Sequence, residues 1–180
     1  MNGMERLQKA RQRVIESIAN NIDLYGVTHS IGRMYGTMYF EEEPMTLEAL
    51  GEALGMSKTS MSAGVRVLTD LKMVDKVWVK GVRKDLYRAE EDWYQTFIDF
   101  FAIRWRKAVQ TNVEMIQKSL SELDGLIQDE SVEQRVKELA LSDKEKLHNA
   151  LAYYQWLTKL IASLESYEIF QFIPKPDKEK

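Results

Sequence analysis

A mainly α protein with one small β-hairpin is the fold class this sequence predicts. Three observations carry it. Glycine and proline are scarce, nine and three in 180 residues, so little interrupts a helix. Apolar residues recur every three or four positions along most of the chain, the period of a helix with one buried face. That period breaks once, in MVDKVWVKGVRKDLYRAE at residues 73–90, where apolar and polar residues alternate around a glycine as in a half-buried hairpin. Two short capped helices stand directly before it. Helix, turn, helix and basic hairpin make a winged helix-turn-helix.

Each element has its own signal. Leu7, Val14, Ile18, Ile22 and Tyr25 mark a first amphipathic helix ended by Gly26. Thr28 or Ser30 caps a second helix running to Phe40, with Ile31, Met34, Tyr35 and Met38 on its apolar stripe. The EEEP of residues 41–44 stops it. Thr46 caps TLEALGEAL, Gly55 ends that helix, Met56 fills the turn and Ser57 caps the next. Strands are expected at about 75–80 and 86–89, with Trp78 packed on the winged-helix body. From Glu91 onward, Trp93, Phe97, Phe100, Trp105, Val109, Val113, Ile116, Leu120, Leu123 and Ile127 hold helical spacing. A further helix is expected from about Val132 to Leu141. SDKE at 142–145 reads as a capping box opening another, with Leu147, Leu151, Tyr154, Leu157, Ile161 and Leu164 on its stripe. Pro174 and Pro176 close the ordered chain, and DKEK reads as a solvated tail.

The expected domains are a winged helix-turn-helix over 1–90, a helical dimerisation and effector-sensing region over 91–173, and a flexible tail over 174–180. The first long helix projects beyond a compact winged helix. Its apolar stripe needs a partner, and a second copy of the chain is the simplest one.

Composition excludes several chemistries. With no cysteine, disulfides, thiolate metal sites and cysteine nucleophiles are ruled out. His29 and His148 are the only histidines, and neither has a second ligand at metal spacing, so neither metal nor cofactor is expected. No phosphate loop, GxSxG or HExxH occurs, which argues against an enzyme. The N-terminus lacks the apolar core of a signal peptide, and no apolar run spans a bilayer, so the cytoplasm is the expected compartment. Net charge is −3, yet the charges segregate. Lys72, Lys76, Lys80, Arg83, Lys84 and Arg88 face only Asp75 and Asp85 in that stretch, whereas residues 41–52 hold five acids and no base. A polyanion senses the local sign, because charges are screened beyond about 10 Å.

The helix after Ser57 divides cleanly. On a wheel of about 100° per residue, Met61, Val65 and Leu68 share one face. Thr59, Ser62, Ala63 and Arg66 point the other way, with Lys58 and Ser60 in the first turn. Short hydroxyls, a methyl and an arginine suit a major groove: Ser and Thr reach phosphates or base edges, Ala meets a thymine methyl, and Arg pairs with guanine. Ser57 and Lys58 stand at a helix start, which favours phosphate. Lys80, Arg83 and Lys84 occupy the hairpin tip, where they can clamp phosphate or enter a minor groove. The predicted partner is double-stranded DNA.

DLYGVTHSIGRMYGTMYF, EPMTLEALGEALGMSKTSMSAGVRVL, WVKGVRKDLY and LAYYQWLTKLIASLESYEIFQFIP resemble the GbsR-type branch of MarR-like winged-helix repressors over nearly the whole chain. That resemblance implies a dimeric bacterial repressor on a pseudo-palindromic operator. It implies control of choline uptake and glycine betaine synthesis, with choline as inducer and glycine betaine as a second candidate ligand. Sister regulators of this branch share the motif set, so which sister this is stays open.

A quaternary ammonium head donates no hydrogen bonds and is held by cation–π contacts in an aromatic cage. Tyr35, Tyr39, Trp93, Tyr94 and Trp105 are the candidate cage residues. The resemblance favours Tyr35, Trp93 and Trp105, since ligands of MarR-like folds often lodge near such positions. Aromatic residues at helical spacing also build cores. A structural DNA-binding protein, or a winged helix used for protein interaction, each without a sensor, therefore stands as the alternative.

Overall fold

Residues 2–176 are described by a computed structural model of the chain. Asn2 caps the first helix reciprocally: its Oδ1 accepts from the Glu5 amide at 2.9 Å, and the Glu5 carboxylate accepts from the Asn2 amide at 2.8 Å. Helix α1 (Gly3–Asn21) tightens into a 3₁₀ turn over Ile22–Tyr25 before Gly26 ends it. Helix α2 (His29–Tyr39) follows Thr28. Helices α3 (Leu47–Leu54) and α4 (Lys58–Asp70) form the helix-turn-helix. The Thr46 hydroxyl accepts from the Ala49 amide at 3.1 Å, and the Ser57 hydroxyl from the Ser60 amide at 3.2 Å. Between them Gly55 takes φ 65°, a left-handed conformation that glycine adopts without strain.

Strands β1 (Val74–Val77) and β2 (Leu86–Ala89) pair antiparallel, with Val74 opposite Ala89 and Val77 opposite Leu86. Met45 adds a bridge on the far side of β2: it donates to the Tyr87 carbonyl at 2.8 Å and accepts from the Tyr87 amide at 2.9 Å. The ladder stops at the Val77–Leu86 pair, so β1 is shorter than the alternation implies. Trp78 therefore has no cross-strand neighbour, and it is 80% exposed rather than packed on the body.

The chain divides into two compact units, one up to Phe100 and one from Phe101 onward. The core of the first joins Ile22, Met34, Tyr35, Leu50, Met61, Val65, Leu68, Met73 and Val74. Gly64 also faces inward. A Cβ there would stand 2.4 Å from the Met34 sulfur, so α2 and α4 approach where α4 carries no side chain.

Helix α5 (Trp93–Gln128) has 36 residues, about 54 Å at 1.5 Å per residue. The Asp92 carboxylate accepts from the Tyr94 amide at 2.9 Å at its start. Helix α6 (Gln134–Glu165) is one unbroken helix of 32 residues. The expected break between Leu141 and Ser142 does not occur. No Gly or Pro stands between 134 and 165, Ala140 is buried, and Lys144 pairs with Asp124 of α5, so both sides of SDKE stay packed. A second pair joins Arg106 to Glu165, and Ala102, Val109, Leu157 and Ile161 fill the seam of this antiparallel hairpin. Tyr167, at φ 61°, turns the chain into α7 (Ile169–Phe172), which the sequence pattern did not announce. The expected solvated tail, residues 177–180, lies outside the described residues. Among the described residues no helix is long and apolar enough to cross a membrane.

Candidate nucleic-acid interface

The cap at Ser57 sets the phase of α4, and the apolar stripe fixes which side turns inward. Met61, Val65 and Leu68 are at most 2% exposed. Lys58, Thr59, Ser60, Ser62, Ala63 and Arg66 are all exposed, as is Ser57. Lys58, Thr59, Ser62, Ala63 and Arg66 line one side of an open groove of about 870 Å³, with Lys76 and Tyr87 of the hairpin on the other. The predicted α4 residues and the wing strands thus share one concave surface.

The wing tip is a β-turn. The Val79 carbonyl accepts from the Val82 amide at 3.1 Å, and Gly81 at φ 88° takes the third position of a type II turn. Lys80 occupies the second position, and Lys80, Arg83 and Lys84 are exposed. Lys76 pairs with Asp85 at 2.8 Å across the hairpin base. That hydrogen bond holds the Lys76 ammonium above its usual pKa.

Glu48 is the residue that sequence reasoning missed. From α3 its carboxylate stands 3.8 Å from Lys58 Nζ at the start of α4 and 3.8 Å from Lys84 Nζ of the wing. Its own backbone amide, then Lys84 and Lys58, hold this carboxyl below its usual pKa. Glu48 lies in the acidic run, far in sequence from both lysines, so no local pattern marks it. Among the described residues Arg66, Lys80 and Arg83 have no ion-pair partner, which leaves three cations on this face for an anion.

The candidate cage residues fall in two places. Tyr35, Tyr39 and Trp93 cluster, with ring centroids 6.2 Å (Tyr35–Tyr39), 5.8 Å (Tyr35–Trp93) and 5.3 Å (Tyr39–Trp93) apart. Tyr35 is fully buried and donates to the Glu90 carbonyl at 2.9 Å. Burial pushes its phenol far above the usual range, so it stays protonated. The Trp93 indole donates to the Tyr39 hydroxyl at 3.0 Å. Beside Trp93 a recess of about 240 Å³ is lined by Ile18, Ile22, Leu24, Tyr25 and Met73. Tyr94 is half-exposed. Trp105 belongs to the second unit, where its ring lies 5.8 Å from that of Phe101. His29 pairs with Glu16 at 3.4 Å, and no group of three or more His, Cys, Asp or Glu is placed to hold a metal among the described residues.

A capped helix-turn-helix whose outer face and adjoining hairpin frame one cationic groove defines a winged-helix DNA-binding protein. A crystal structure of a transcriptional regulator shares the fold, at TM-score 0.52 and 19% identity over 82% of this chain and 99% of that one. Residues 93–171 match the model of the GbsR family transcriptional regulator C-terminal helical hairpin. The HTH-type transcriptional repressor GbsR of Bacillus subtilis (strain 168) is 42% identical over 172 residues, 96% of this chain and 95% of that protein. The HTH-type transcriptional repressor OpcR of the same organism is 43% identical over 176 residues, 96% of this chain and 93% of that protein. The chain belongs to the GbsR family, a family of DNA-binding transcriptional repressors and not of enzymes.

Proposed function

We propose that this chain is a ligand-responsive repressor that binds a pseudo-palindromic operator as a homodimer and controls choline uptake and glycine betaine synthesis, with choline as inducer. The observation that carries the reading is the single groove between the α4 face and the wing. In it Thr59, Ser62, Ala63 and Arg66 read bases from the major groove. Ser57, Lys58 and Ser60 hold phosphate at the start of α4, and Lys80, Arg83 and Lys84 grip the backbone from the wing. Dimerisation falls to the helices after residue 91. Met115, Leu139, Leu141 and Trp156 are about half-exposed there, and a second hairpin covers such a surface at least cost. The near-equal identities to GbsR and OpcR leave both sister roles in play.

The inducer's seat is assigned to the Tyr35, Tyr39 and Trp93 cluster, with Tyr94 and Trp105 as the remaining aromatic candidates. Each cation–π contact there contributes about 0.5–2 kcal/mol. The test is a mobility-shift titration on a duplex that the protein itself enriches from a random-sequence pool. Choline is expected to release the duplex, and Trp93→Ala to bind DNA but ignore choline. A protein that binds the duplex and responds to neither choline nor glycine betaine is instead a DNA-binding protein without this sensor.

A further inference from the structure

Trp78 is the most exposed large apolar side chain among the described residues, at 80%. An indole left in water contributes almost nothing to the fold, since its apolar area is never removed from solvent. It stands between the end of β1 and the wing turn, with Val79 and Val82 also exposed at 40% and 39%. A shallow hollow of about 790 Å³ runs beneath this loop, lined by Trp78 and by Lys76, Arg83 and Lys84 among others. The Lys76–Asp85 pair pins the loop's base. The turn at Gly81 closes its tip, so the indole is held out from a braced hairpin rather than from a loose end.

The charges around the indole decide what it meets. Lys80 and Arg83 have no ion-pair partner among the described residues, and Lys84 shares Glu48 with Lys58. A protein surface that accepts an isolated indole is usually apolar, and the cations beside that indole would be desolvated there at a cost. Duplex DNA offers the opposite combination: an anionic rim around stacked apolar bases. Proteins that enter a minor groove pair Arg or Lys on its walls with an apolar wedge that opens a base step and bends the duplex.

We propose that Trp78 is a DNA wedge, seated by the wing at a minor-groove base step, where it stacks and bends the duplex while Lys80 and Arg83 hold the flanking phosphates. This rests on the DNA-binding reading of the wing and goes beyond it, because the wing becomes a shape-reading device as well as a clamp.

The test uses the full-length protein, the enriched duplex, and the variants W78A and W78F. The chain has four tryptophans, so the DNA-induced change in emission is compared between wild type and W78F. W78F is expected to lose the quenched fraction yet bind within a few-fold of wild type, since phenylalanine still stacks. W78A is expected to bind about tenfold to a hundredfold more weakly, with a smaller bend in a circular-permutation assay and the wild-type salt slope. Melting temperatures should match wild type, the residue being exposed. Equal quenching in W78F, or unchanged affinity and bend in W78A, overturns the wedge while DNA binding by the wild type stands. A Trp78 response to anionic lipid vesicles in place of the duplex also overturns it. Failure of the wild type to retain any duplex removes the DNA reading itself.

Discussion

Arg66 and Glu48 bring opposite charges to the same surface, and their substitutions should move DNA affinity in opposite senses. Arg66 is exposed on the groove wall with no ion-pair partner among the described residues. If it reads a guanine edge, Arg66→Ala costs about 1–3 kcal/mol on the enriched duplex and much less on a random one. Glu48 holds Lys58 and Lys84 at 3.8 Å each and repels any phosphate that approaches them. Glu48→Gln should tighten binding to every duplex and steepen the salt dependence, by up to about 0.9 in slope for each lysine freed to a phosphate. Competition binding at several salt concentrations separates the two. The same carboxylate predicts a pH effect. Its pKa is lowered on folding, so its stabilising contribution is present above its ordinary value of about 4.5 and is lost as pH falls through the lowered value. The difference in melting temperature between wild type and Glu48→Gln should therefore shrink on acidification below about pH 4.5.

The elements differ in how openly the sequence declares them. Helices α3 and α4 were legible because each has a hydroxyl cap, an apolar stripe and a stop within a few residues. The two-sided division of α4 was legible for the same reason. Gly64 was not: it lies about 60° from Met61 on the wheel, beside Leu68, and without a side chain it adds no apolar signal. Its role appears only when Met34 of α2 is seen against it. Because Met34 is itself 1% exposed, it has little room to move aside. Gly64→Leu should therefore cost about 1–3 kcal/mol by overpacking, measured as a lower denaturant midpoint. Helix α6 reads as two helices in the sequence for the opposite reason. SDKE matches a cap by residue type, but a cap acts only where the chain already turns, and nothing there makes it turn. Trp78 departs from its pattern because alternation persists to Val79 while the pairing that alternation usually marks ends at Val77. Glu48 could not be read from the sequence at all, since its partners are on two other elements.

At the scale of the molecule the proposed function asks how an inducer at one site would weaken DNA binding at another. Within the first unit the path is short. Tyr35 packs edge-on against Trp93, and its neighbour Met34 lies against Gly64 of α4, on the helix whose other face carries Arg66. A cation drawn to the Trp93 and Tyr39 rings would spread the cluster and shift α2, and Met34, buried against Gly64, would pass that shift to α4. On the proposed function, choline then favours an α4 position that fits the groove less well. Such coupling is reciprocal: if choline lowers DNA affinity by some factor, DNA lowers choline affinity by the same factor, typically about 5- to 150-fold. Isothermal titration of choline into free protein and into the protein–duplex complex measures one factor, and duplex binding with and without saturating choline measures the other. The two should agree, and Gly64→Ala, which meets the Met34 thioether directly, should change both together. Release of DNA by choline that Gly64→Ala leaves unchanged would mean that choline acts elsewhere, on the duplex or on a second copy's assembly, and not through the α2–α4 contact.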